Sequence, residues 1–272
     1  MPFLRKVLSI IKRDGLKWFF IRVFGQLLNQ EMEIKRTKQK ALSILDSKYK
    51  NRVAYGLFKG MKLSTHTSWD PFSKINQILG TYEEHVLQEL LYFKKEGIKC
   101  FIDIGAADGY FAVGMAYSQT FDNIHAFEIS QLGQKTILDT ASQNQCEQLI
   151  EVNGEASCST IRKLILQHKR AAVLIDIEGA EYTFLNLEML DLLKNCYVIC
   201  ELHPWLVEKG YELQNILLST AYERFDVSII KRDIYRPNDY EEFDDFTDEE
   251  RLITVGEGRH KNMEWLVLKP KI

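Results

Sequence analysis

The run Cys100-Phe101-Ile102-Asp103-Ile104-Gly105-Ala106-Ala107-Asp108-Gly109 decides the fold. Its first five residues, apolar except for Asp103, predict a short buried strand, and the glycines behind them predict a tight turn into a helix. The rhythm then repeats, with apolar runs at 100–104, 124–128, 148–152, 172–177 and 197–202 separated by helical patterns. Strands apolar on both faces and alternating with helices imply a mostly parallel sheet covered on both sides. Phe225–Ile230 and Trp265–Leu268 add two strands, the last expected to enter antiparallel. The expected class is α/β.

In an open parallel sheet, ligands bind beyond the carboxyl ends of the strands, near the point where strand order reverses. Gly105 and Gly109 have no Cβ, so the backbone there can turn sharply and approach a ligand. Asp103, at the strand end, can hold a cationic or hydroxylated group. The spacing is not the GxGxxG of dinucleotide sites, where a pyrophosphate rests on a helix N-terminus. Ala106 and Ala107 fill this turn, and Asp108 adds a negative charge that opposes a pyrophosphate. A ligand with a cationic amino group and a sulfonium, and no phosphate, fits better; an ordinary strand-to-helix turn is the plain alternative. Glu128 closes the second strand 23 residues after Gly105, close to the roughly 20-residue spacing at which an acid grips ribose hydroxyls. Behind the third strand, Asn153-Gly154-Glu155-Ala156 is placed to border a base.

The fourth strand runs into Asp176-Ile177-Glu178-Gly179-Ala180-Glu181, three carboxylates within six residues. If the strand stays extended, Asp176 and Glu178 share one side of it. Crowded carboxylates raise one another's pKa, which suits a general base or an anchor. Capping of a helix over Ala180–Lys194 is the structural alternative and accounts best for Glu181. The next strand ends Glu201-Leu202-His203-Pro204, putting another acid and an imidazole on the same rim. His203 is a candidate base, against a purely structural histidine. Asp176, Glu178, Glu201 and His203 also offer oxygen and nitrogen ligands for magnesium or manganese, although no metal is expected.

The 272 residues are 46% hydrophobic and 27% charged, the composition of a globular chain. No apolar run reaches the roughly 20 residues of a spanning helix, and basic residues interrupt any secretory signal at the start. Five cysteines without a CxxC pair read as reduced core thiols in a cytoplasmic protein, and their spacing gives no zinc motif. The net charge of −3 is uneven: residues 1–55 hold 13 Lys/Arg against 4 Asp/Glu, so the remainder is strongly acidic. That acidity argues against nucleic acid as a partner.

Residues 1–28 carry apolar positions at helical spacing, including Leu4, Val7, Leu8 and Ile11, with six basic residues against one acid. This suits either a helix lying on an anionic membrane face or an arm packed on protein, its own or a second copy. The expected division is a basic amphipathic helical extension over 1–55 and a catalytic domain over 56–272. Residues 31–52 read as a helix, 55–63 as a hairpin or tight loop and 82–96 as a helix. The acid-dense stretch 239–250 reads as a lid over an acceptor or as a solvated loop.

Taken together, these pieces resemble the FkbM-type methyltransferases, a branch of the class I S-adenosylmethionine-dependent enzymes. Gly80-Thr81-Tyr82-Glu83 is similar to the family's segment before the core and Phe101–Gly109 to its methionine-binding turn. Ile175–Glu181 resembles its Asp-x-Glu-Gly-x-Glu signature, and Cys200–His203 and Glu264–Leu268 its next and closing strands. The resemblance covers roughly residues 78–270. It implies a Rossmann-like class I fold with a seven-stranded sheet, and a cofactor, S-adenosylmethionine, held by Glu83, Asp103, Gly105, Ala106, Gly109, Glu128, Ile129, Glu155 and Asp176. It also implies O-methylation of a sugar, glycan or other small-molecule acceptor, to which the basic head adds the expectation of a lipid-linked one. A module that keeps the fold at a membrane surface without catalysis is the competing expectation.

Overall fold

The computed structural model describes residues 30–65, 72–232, 236–259 and 261–271. The amphipathic head expected over 1–28 lies outside the described residues. Seven strands are present: β1 (Cys100–Ile104), β2 (Asn123–Phe127), β3 (Ile150–Asn153), β4 (Ala172–Ile175), β5 (Tyr197–Leu202), β6 (Phe225–Lys231) and β7 (Glu264–Pro270). They form one sheet in the order β3-β2-β1-β4-β5-β7-β6. The first five pair in parallel, while β7 runs antiparallel to both β5 and β6. This is the Rossmann-like sheet with an antiparallel last strand that the sequence predicts. Strand order reverses between β1 and β4, so their carboxyl ends flank the switch point where such sheets bind ligands.

Side-chain alternation divides the strand residues between two cores. One face carries Phe101, Ala126, Leu174, Ile199 and Val267. It is covered by α1 (30–49), α2 (Ser73–Leu79), α3 (Glu84–Lys95), α4 (Tyr110–Tyr117) and α5 (Gln131–Gln143). The other carries Ile102, Val173, Val198 and Leu266 under α6 (Cys158–His168), α7 (Glu181–Phe184), α8 (Leu187–Leu193) and α9 (Gly210–Arg224). Apolar residues on both sides of every central strand are what this double cover requires. Ala41 and Leu45 of α1 are fully buried in the first core beside Met61 and Phe243, so the described part of the basic extension packs with the body.

Three local expectations change. The single helix expected over Ala180–Lys194 is split, because the Asn186 side chain accepts the Met189 amide and starts α8 afresh. The fourth strand, expected through 177, stops at Ile175. The stretch 239–250 is not a solvated loop. Tyr240, Phe243 and Phe246, three residues apart, turn to one side and are buried, while Asp239, Glu241, Asp244 and Asp245 stay exposed and the Glu242 side chain turns in. Behind them α10 (Asp248–Val255) begins with a Thr247–Glu250 capping box. None of the helices among the described residues is long and apolar enough to cross a membrane.

Candidate active site

Beyond the carboxyl ends of β1 and β4 lies a cleft of about 210 Å³, walled by Glu83, Asp103, Asp108, Asp176, Glu178, Glu201 and Glu257 around Arg259. That is below the roughly 300–1,000 Å³ of sites that enclose a whole ligand, so the cleft takes one end of a ligand and leaves the rest along the rim. Tyr82, Tyr110 and Phe111 supply its aromatic side, with Tyr82 and Tyr110 edge to face at 5.4 Å between centroids.

The turn after β1 is built inward. The Gly105 and Ala106 amides both donate to the Phe127 carbonyl, at 2.9 and 3.0 Å, and the Gly109 amide donates to the Ala106 carbonyl at 2.8 Å. The Ala107 amide donates to Glu128 Oε2 at 2.9 Å. A phosphate would need those N–H groups, and they are engaged. Gly105 has φ +88°, and a Cβ there would sit 1.7 Å from the Asp176 carbonyl oxygen. Its bareness therefore serves the approach of β4, whereas the sequence pointed to the approach of a ligand. Glu128 also accepts the Ser130 amide at 2.7 Å, so its carboxylate fixes the turn from both oxygens.

Past Ile175 the chain turns away, with Glu178 at φ +50° and Gly179 at φ +100°. Asp176 and Glu178 consequently reach the cleft from a turn and do not share one side of an extended strand. Fully buried Glu181 locks this turn: its carboxylate accepts the Gly179 and His203 amides, each at 2.7 Å. The capping alternative for Glu181 thus gives way to a tie between the ends of β4 and β5.

Electrostatically the site is a set of acids around buried cations. Arg259 donates to Glu83, to Glu201 and, at 2.9 Å, to Glu257, and its guanidinium lies 5.4 Å over the Trp265 ring. Burial pushes the Asp103 carboxyl up to about 8, with Asp176 adding to it. Burial also raises Glu83, Asp176 and Glu178, and raises Glu201 well above the usual carboxylate range, with Asp176 adding to it. His203 is 3% exposed and does not line the cleft. Burial alone would lower its pKa, but Glu181, Asp176 and Glu178 outweigh that and raise it. Its Nε2 lies 3.9 Å from Asp176 and 3.7 Å from Glu178, the place of a buried counter-charge. Ligand atoms of Asp176, Glu178 and His203 fall within 4.8 Å of one another, as a hard cation would require.

No family model matches the sequence, and no curated protein matches it. Solved structures are similar in fold. One is a putative O-methyltransferase from Klebsiella pneumoniae, at 11% identity over 75% of this chain and 91% of that one, with a TM-score of 0.48. Another is the O-methyltransferase TomG from Streptomyces achromogenes, solved with S-adenosylmethionine, at 12% identity over 76% and 93% with a TM-score of 0.48. Cofactor-bound Rv0187 from MTB matches at 8% identity over 87% and 91%, with a TM-score of 0.46.

Of the residues expected at the site, the cleft gathers Glu83, Asp103, Gly105, Ala106, Asp176, Glu178 and Glu201. Gly109, Glu128, Ile129, Glu155 and His203 lie outside its wall; Ile129 is 79% exposed and Glu155 is exposed. Arg259, Glu257 and Trp265 complete it from a segment that sequence reasoning left aside, because its charges follow no periodicity. The one signal was Trp265 in the closing strand, beside which a cation is commonly found.

Proposed function

We propose that the chain is an S-adenosylmethionine-dependent methyltransferase of the FkbM type, acting on a hydroxyl of a sugar, glycan or other small or lipid-linked acceptor. One observation carries this reading: at the ends of β1 and β4, a cleft walled by carboxylates adjoins a turn whose amides are turned inward. Such a site accepts cationic, phosphate-free ligands and offers a pyrophosphate nothing. Asp103 Oδ2, Asp176 Oδ1 and the Tyr110 hydroxyl are buried there without a hydrogen-bond partner, a cost a protein accepts where a ligand completes the set. The donor set therefore fits an ammonium and a neighbouring sulfonium.

When bound, S-adenosylmethionine supplies a methyl group already activated on sulfur. The residues then have to bind, orient and take up one proton. Asp103 and Glu83 face the amino group, the aromatic side of the cleft faces positive charge, and Glu128 offers its remaining lone pairs to the ribose at the rim. Asp176, whose Oδ1 has no hydrogen-bond partner among the described residues, orients the reacting end. Glu178 is half-exposed at the mouth and more basic than an ordinary carboxylate because of its burial and Asp176. In this reading Glu178 accepts the hydroxyl proton, while His203, buried and raised in pKa, supplies positive charge behind the acids. Positioning accounts for most of the rate.

Titration calorimetry tests the cofactor directly. S-adenosylmethionine is expected to bind and NAD to give no heat. No binding at about 1 mM ligand, an affinity threshold of about −4 kcal/mol, overturns the proposal. Binding without methyl transfer to any hydroxyl acceptor turns it into the non-catalytic module.

A further inference from the structure

A second group of ligating side chains lies at the other end of the sheet from the cleft. Cys100 opens β1, His125 is the middle residue of β2 and His168 is the last residue of α6. Registered residues in neighbouring strands project from the same face. His125 registers with Ile102, which shares its face with Cys100, and with Glu151 of β3. Helix α6 packs over that face through Ile161 and Ile165, and its final residue therefore lands on the same spot. The Cys100 sulfur and one ring nitrogen of each histidine lie within 4.8 Å of one another. The two Nε2 atoms are 3.2 Å apart. Zinc–nitrogen bonds of about 2.0–2.1 Å at a tetrahedral angle separate their nitrogens by about 3.3 Å, so the observed spacing is that of two ligands on one ion. Glu151 Oε2 lies 3.1 Å from His125 Nδ1, the place of the carboxylate that orients a metal-bound imidazole.

We propose that Cys100, His125 and His168 bind one zinc ion, with Glu151 orienting His125 and a fourth position open to water. Mixed thiolate and imidazole ligation suits zinc, and the Cys100 thiolate with Glu151 balances its two charges. On binding, the thiol proton passes to solvent, because a coordinating thiol is deprotonated. Cys100 and His125 are buried, His168 is half-buried and Glu151 exposed, so the ion enters beneath the end of α6. The ligands come from two strands and a helix, which is why no local cysteine spacing announces them. The competing arrangement is a hydrogen bond between the two imidazoles with no ion.

Full-length, tag-free protein stripped by a chelator and titrated with cobalt(II) distinguishes the two. One equivalent is expected to bind with a sulfur-to-cobalt charge-transfer absorption, and zinc(II) should displace it stoichiometrically. Cys100→Ser should abolish the absorption, and Glu151→Gln should weaken binding about 10–100-fold. His168→Gln, at a half-buried helix end that tolerates replacement, should weaken it at least about tenfold, with circular dichroism confirming the fold. No charge-transfer absorption in the parent protein, or parental affinity in His168→Gln, overturns the proposal. Cobalt bound without the sulfur absorption also overturns it, since that ion reports the thiol-free group at Asp176, Glu178 and His203.

Discussion

Asp103 shows most clearly how the site sets binding against stability. Its side chain is 3% exposed, and burial followed by the nearby Asp176 pushes it up to about 8, whereas an unfolded aspartate titrates near about 3.9. The folded chain thus holds this proton more tightly than the unfolded chain does. Stability is fully present below about pH 4 and falls as pH rises towards about 8. Asp103→Asn keeps the shape and an acceptor for the Ala112 amide while removing the titration. The variant is expected to melt at least about 2 °C above the parent in calorimetric scans at alkaline pH, and to show no such gain below about pH 4. It should also lose affinity for S-adenosylmethionine, because a cationic ligand favours the carboxylate. Asp103 was legible in the sequence as an acid at the end of an apolar strand. Its raised pKa was not, since that depends first on how deeply the folded sheet buries it and then on Asp176 behind the neighbouring strand.

At the level of elements, the segment between α10 and β7 delivers Arg259 to three carboxylates, Glu257 of the same segment and Glu83 and Glu201 from two other places in the chain. Removing one partner of a buried ion network leaves uncompensated charge, at about 3–5 kcal/mol. Arg259→Ala is expected to destabilise by that amount in urea unfolding at neutral pH, and Arg259→Lys by less, since a lysine retains the charge but not the fork of donors. The strands could be read because burial on both faces leaves each a continuous apolar run. The first carboxyl ends of those strands followed, and with them Asp103, Asp176, Glu178 and Glu201. Arg259 could not be read, because two of its three partners are 58 and 176 residues away and nothing in the local pattern joins them. Glu181 was read as a cap because its two amide partners, Gly179 and His203, meet only after β4 and β5 have paired. The break at Asn186 was missed because a helix-capping asparagine inside an amphipathic pattern scores as an ordinary helix residue.

For the molecule as a whole, one junction ties α1 to the aromatic turn that precedes α10. Glu242, with a fully buried side chain, accepts from Lys48 at 2.7 Å, from Tyr55 at 2.9 Å and from Tyr49. Burial alone would raise its pKa, but Lys48 and the two hydroxyls outweigh it and hold the carboxyl down to about 2. An unfolded glutamate titrates near about 4.3, so this junction stabilises fully above that pH and is lost as pH falls towards about 2. Glu242→Gln should therefore be less stable than the parent in neutral urea titrations and equal to it near pH 2. The strand order has its own consequence for how the protein is made. A ribosome emits β6 before β7, yet β6 joins the sheet only through β7, and Arg259 emerges just ahead of that strand. Until then the nascent sheet carries an unpaired edge, and its acids lack their guanidinium. Completion of the sheet and neutralisation of the cleft arrive together, so a chain halted before Arg259 has neither a finished sheet edge nor the guanidinium that its buried acids share.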